Sequence, residues 1–123
     1  MSEATTDERD RRRVEAALAA ARRAQRHVAY FGPEWLGIEA ALDAVAKALE
    51  EIGEQLTGTL QQPGVSAATR AAHPEIPWRA IGGLRNFLAH NDVANEPQRL
   101  KDMVERDVAA LIPQLEALLA SRG

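Results

Sequence analysis

"IEAALDAVAKALEEIGEQL", from Ile38 to Leu56, carries the clearest period in the chain. Ile38, Leu42, Val45, Leu49, Ile52 and Leu56 step by 4, 3, 4, 3 and 4 residues. Such steps set six apolar side chains on one face of an α-helix, whereas a strand alternates its faces every second residue. A seam this narrow belongs to helix bundles and coiled coils. The stretch is also rich in alanine and poor in β-branched residues, which favours helix over strand. Gly53 interrupts the pattern, either as an exposed weak point or as a point of close approach. Gly58 is placed to end the helix.

Working outward, the same period recurs on both sides. Val14, Leu18, Ala21, Gln25 and Val28 form one stripe and predict a first helix from near Asp7 to Tyr30. Residues 1–8 read as a flexible tail. "FGPEW" punctuates, with Gly32 ending one helix and Pro33 suited to the start of the next. Downstream, "TGTLQQPGVSAATRAAHPEIP" is the least regular part. Pro63-Gly64 signals a turn, Ser66 is placed to cap a short helix through Ala72, and Pro74 and Pro77 bracket an extended link. A third helix is expected from Pro77 to near His90, with Ile81, Leu84 and Leu88 on its buried side. A fourth follows Asn95, with Pro97 in its first turn and Leu100, Val104, Val108, Leu111, Leu115 and Leu118 as its stripe. Pro113 removes one backbone bond inside that helix and is expected to kink it. Trp35 and Trp78 stand at helix starts, as packing anchors. The architecture expected is all-α: an up-down bundle of four main helices plus one short helix, forming a single domain over residues 1–123.

Composition agrees. With 46% hydrophobic and 27% charged residues, the chain is globular in character, and 4% aromatics require an aliphatic core. A chain of 123 residues suffices for one domain with its own core. Without cysteine there are no disulfides, thiolate metal sites or cysteine nucleophiles, in keeping with a cytoplasmic location. No apolar run approaches the roughly 18 residues that would span a bilayer, so no membrane partner is expected. A formal net charge of −3 argues against broad tracking of nucleic-acid phosphates but leaves room for a small local RNA site. Arg9, Arg11, Arg12, Arg13, Arg22, Arg23 and Arg26 crowd the first helix. They form either a solvated face paired with Glu8, Asp10 and Glu15 or a basic rim for RNA.

The chemistry concentrates in "GGLRNFLAHND", Gly82 to Asp92. At 100° per residue, Asn86 and His90 share a helix face, and the long Arg85 side chain can reach toward them. Histidine transfers protons near neutral pH, and arginine offers a charged planar fork to phosphate oxygens. RNA carries its own nucleophile, the 2′-OH. Cutting it without a metal needs only proton transfer, charge stabilisation and positioning. DNA would resist such a site. On spacing alone, an arginine and a histidine five apart on a helix are more often a surface or helix-end feature than an active site. His27, His73 and His90 are scattered, so no metal site is indicated, and no cofactor is expected. Gly82-Gly83 lacks the features of a phosphate loop and reads as room for another helix.

The segment "PEIPWRAIGGLRNFLAHND", with "LEEIGEQL" upstream, resembles the HepT-like (DUF86) family of HEPN-domain ribonuclease toxins. Arg85, Asn86 and His90 match that family's motif of Arg, four residues, His, one residue, Tyr. "PEIPW" at Pro74–Trp78 and Ile52-Gly53-Glu54 also match, and "RDVAALIPQLEALL" looks like the closing helix. The resemblance covers about residues 10 to 120. It implies a homodimeric ribonuclease, the toxin of a toxin–antitoxin pair with a small nucleotidyltransferase (MntA-like) antitoxin. Carried over, it makes Arg85 the ligand and stabiliser of the scissile phosphate and His90 the proton-transfer group. Asn86 would orient His90 or the RNA. Glu54 is either an ion-pair partner that positions Arg85 or a solvated glutamate.

One position departs from the motif. The family's tyrosine, which accepts AMP from the antitoxin, is Asp92 here, and the chain's sole tyrosine is Tyr30. A carboxylate offers no phenolic oxygen. Neutralisation then runs through tight complex formation or another hydroxyl, or else the site has drifted from catalysis. Asp92 also favours a charged His90 and repels RNA phosphate. The departure sets a second expectation beside the ribonuclease: a catalytically weak dimer that binds a nucleotidyltransferase or RNA. A third is a structural dimerisation protein that associates through the seam of the second helix.

Overall fold

A computed structural model describes residues 3–89 and 96–122. They form helices α1 (Glu3–Phe31), α2 (Glu39–Thr57), α3 (Ala67–Ala72) and α4 (Trp78–Ala89), with a 3-10 turn at Trp35–Gly37. The last helix runs without interruption through α5 (Pro97–Asp102), a π-helical turn (Met103–Val108) and α6 (Ala109–Arg122). The result is the all-α bundle expected: four main helices and one short one, with no strand among the described residues. No helix among them is long and apolar enough to cross a membrane.

α2 lies at the centre, packed against α1 on one side and α4 on the other, while α1 also carries α6. Its seam is wider than a 4-3 stripe. Val45, Leu49, Ile52 and Leu56 are buried as expected, joined by Ala41, Ala48 and Gly53. Ile38 is exposed at the helix start and Leu42 only half-buried. A helix covered on two sides needs a broad apolar face. Four of the six seam side chains, Val45, Leu49, Ile52 and Leu56, are therefore used within the chain.

α1 meets α2 through small side chains. Ala17, Ala20, Ala21 and Ala24 are buried beside Val14 and Leu18, whereas Gln25, expected in the stripe, is exposed. Alanines let two helix axes draw close, so the larger α2 side chains fill the gap between them. The final stripe of Leu100, Val104, Val108, Leu111, Leu115 and Leu118 is buried throughout. Pro97 occupies the first turn of α5, and Pro113 lies inside α6.

α1 begins at Glu3, earlier than Asp7, and so takes in part of the segment read as a tail. The early turns have a definite task. Asp10, grouped with the solvated charges in the sequence, is 1% exposed. Its carboxylate accepts from the backbone N–H of Ser66 (3.0 Å), the Ser66 hydroxyl (2.6 Å) and the Thr69 hydroxyl (2.5 Å). Ser66 itself caps α3, as expected, by accepting from the Thr69 N–H (3.4 Å). A buried carboxylate of α1 thus sits at the start of α3 and ties the irregular link to the bundle.

Replacing Asp10 removes the acceptor of three donors, the buried Thr69 hydroxyl and the two half-buried groups of Ser66. Asp10→Ala is expected to lower stability by about 2–3 kcal/mol, read as a fall in the urea midpoint at unchanged m-value.

Candidate functional site

The site is built on the C-terminal end of α2. The last carbonyls of a helix have no partner within it and carry the negative end of its dipole. Gly58 ends α2 at φ +86°, ψ 178°, a conformation open to glycine alone. The chain then doubles back tightly. Val65 N–H returns to the Leu56 carbonyl (3.0 Å), and Gly58 bridges Pro63.

Two arginines from later in the chain meet the remaining carbonyls. Arg70, in α3, donates to Leu56 (3.2 Å) and Val65 (2.9 Å), with its guanidinium 5.8 Å from the Trp78 ring centroid. Trp78 donates from Nε1 to the His73 carbonyl (3.0 Å), which fixes the first turn of α4. Trp78 is thus the anchor expected of it, and Trp35 is another, buried at its 3-10 turn. Arg85, near the other end of α4, donates from Nη1 to the Gly58 carbonyl.

To reach that carbonyl, the Arg85 side chain crosses α2 over Gly53. A Cβ on Gly53 would lie 2.5 Å from Arg85 Cγ and 3.0 Å from Cδ. Of the two readings of Gly53, close approach is the one observed. The Gly58 carbonyl takes one of the guanidinium's five N–H groups and leaves the rest of the fork for another acceptor. Arg85, Asn86 and Gly82 from α4 face Glu50 and Glu54 from α2 across a cleft of about 260 Å³.

Arg85, Asn86 and Glu54 are thereby brought together. Among the described residues no ion pair joins Glu54 to Arg85. The guanidinium reaches the helix end instead, where the carbonyl lies in its path. His90 and Asp92 lie outside the described residues. Two participants were not singled out in the sequence as site residues. Glu50 stands four residues before Glu54, on the same face of α2. Gly53 signalled itself only as a glycine in mid-helix.

Four of the seven arginines that crowd the first helix have acidic partners. Arg11 pairs with Glu15 (3.8 Å), Arg12 with Glu8 (3.8 Å), Arg22 with Glu116 and Arg23 with Glu51. These are surface pairs of small energetic value, as a solvated face requires. Tyr30 is 83% exposed at the end of α1. A Cβ on Gly82 or Gly83 would meet nothing within 4 Å, so no described helix uses the room they leave.

Beyond α4 lies a groove of about 640 Å³ between that helix and the last one. It explains a difference from the sequence reading. Ile81 and Phe87 are buried, but Leu84 and Leu88 are only half-buried, and Leu84 lines the groove.

The family described as "Ribonuclease HepT-like" matches residues 17–118, most of the chain and all of α2 and α4. No curated protein and no solved structure matches it.

Gly58 is the keystone of the helix end. Gly58→Ala puts a Cβ 2.5 Å from the Gly64 nitrogen at a φ that alanine avoids. A loss of about 2–3 kcal/mol is expected, measured by thermal denaturation.

Proposed function

The chain belongs to the ribonuclease HepT-like family, and from that premise we propose that it is a metal-independent RNA endonuclease. The observation that carries the reading is Arg85, anchored by one N–H on the Gly58 carbonyl while it lines a polar cleft with Asn86. A guanidinium held in one place and only partly satisfied is a ready ligand for a phosphate oxygen.

In this reaction the RNA 2′-oxygen attacks the adjacent phosphorus and the bond to the 5′-oxygen breaks. The 2′-OH loses its proton and the leaving oxygen gains one. The products are a 2′,3′-cyclic phosphate and a 5′-OH. Arg85 stabilises the charge that builds on the phosphorane, and His90 handles proton transfer. Asn86 orients His90 or the substrate. Glu54 borders the cleft and bounds where phosphate can sit. Asp92 adds negative charge beside His90 and weakens the hold on RNA.

The active unit is a homodimer. A groove lined by Ile81, Leu84, Met103 and Leu111, with Arg99 and Asp102 also along it, suits a second copy of the same surface. Both signs of charge on one patch are self-complementary under a two-fold axis. Gly83, which lines the groove, supports the same reading, since it weakens α4 by about 1 kcal/mol relative to alanine with no packing reason among the described residues. The biological setting is a cytoplasmic toxin–antitoxin pair with a nucleotidyltransferase (MntA-like) antitoxin. With Asp92 in place of tyrosine, the antitoxin restrains the toxin by complex formation.

The purified protein is expected to cut RNA in EDTA. His90→Ala and Arg85→Ala each lose about a hundredfold or more in rate while keeping their helical circular dichroism. Cleavage that survives both substitutions contradicts the site. Absence of cleavage by the wild type, with a nucleotidyltransferase still bound, favours the binding module that Asp92 suggests. Asp92→Asn is expected to lower KM for RNA severalfold in low salt. Sedimentation velocity at micromolar concentration is expected to show a dimer, and a monomer there removes the shared groove.

A further inference from the structure

We propose that Gly53 is a positioning residue: its missing side chain is the channel that carries Arg85 across α2 to the Gly58 carbonyl, and this channel and anchor hold the guanidinium at the cleft before RNA arrives. The inference rests on the ribonuclease reading for its functional half, while its structural half stands by itself.

Glycine inside a helix weakens it, so a buried helical glycine calls for a local reason. At Gly53 the three nearest atoms to an added Cβ all belong to Arg85: Cγ at 2.5 Å, Cδ at 3.0 Å and Cβ at 3.9 Å. Cγ and Cδ are not the loose end of a side chain. They lie between a backbone fixed in α4 and a guanidinium fixed on the Gly58 carbonyl. A methyl group at position 53 forces the arginine off this path and breaks its anchor. The α2 frame is stiff at this point: Ile52 and Leu56 are buried, and the Thr57 hydroxyl donates to the Gly53 carbonyl (2.7 Å).

The benefit is preorganisation. An arginine ordered in advance does not have to lose its rotamer freedom when phosphate binds or when charge develops in the transition state. Gly53 thus acts through Arg85 and touches no substrate.

The test is a double-mutant cycle of wild type, Gly53→Ala, Arg85→Ala and the double variant. With Arg85 removed, Gly53→Ala fills vacated space with a better helix former, and Tm is expected to rise by roughly 3–5 °C. With Arg85 present, the same substitution gives no rise or a fall. On RNA, Gly53→Ala is expected to drop kcat to within about threefold of Arg85→Ala with a smaller change in KM, and the double variant is no worse than Arg85→Ala. A single variant that fails to fold and is restored by Arg85→Ala also supports the cradle. An equal Tm change in both backgrounds overturns it. So does full activity of Gly53→Ala where Arg85→Ala is inactive. If the wild type does not cut RNA, the Tm cycle still decides the cradle, and that failure falls on the ribonuclease reading alone.

Discussion

A helix that stops in a glycine turn leaves its last carbonyls facing whatever chain follows. In this protein α2 stops at Gly58, and the rest of the site is assembled from groups that answer those carbonyls. Arg70 meets Leu56 and Arg85 meets Gly58. The first stacks on Trp78, which starts α4, and the second stands near the end of the same helix. Two charge-assisted hydrogen bonds at the negative end of one dipole therefore set where α4 lies against α2. The aliphatic core supplies most of the stability, but apolar packing is tolerant of small slides along a helix axis. The two arginines are directional and fix the register.

That arrangement bears on the proposed function. Arg85 is spent only in part on holding the fold. Because its anchor is a neutral carbonyl and not a carboxylate, its charge is not cancelled by an ion pair and stays available to an anion. Had Glu54 taken the guanidinium in a bidentate pair, a phosphate would have to displace a carboxylate first. The cleft nevertheless carries Glu50 and Glu54 on its α2 side. In the proposed function these two carboxylates would confine an incoming phosphate to the α4 side, where Asn86 lies.

Much of this was legible in the sequence, and the boundary of legibility has a physical cause. Local signals carry part of the fold: the stripe from Leu100 to Leu118, the Ser66 cap, Pro97 in a first turn and Gly58 at a helix end depend on neighbours a few residues away. Other features depend on distant partners. Asp10 looks like one more surface acid until Ser66 and Thr69, 56 and 59 residues away, are folded onto it. Gly53 looks like a flaw until Arg85 crosses it. The breadth of the α2 face followed from its central place, which no single helix announces. The matching of Arg85, Asn86 and His90 to a family motif came from resemblance, since spacing alone admits an ordinary helix edge.

In the proposed reaction the substrate supplies its own nucleophile. The most direct measurement uses two RNA oligonucleotides of the same sequence, one carrying a single 2′-deoxy nucleotide on the 5′ side of the scissile phosphate. Cleavage by the wild-type protein is followed in EDTA with the product ends identified. The account predicts that the deoxy substitution abolishes cutting at that phosphate and that the all-RNA product ends in a 2′,3′-cyclic phosphate. Cutting at the same position and rate in both oligonucleotides would contradict it.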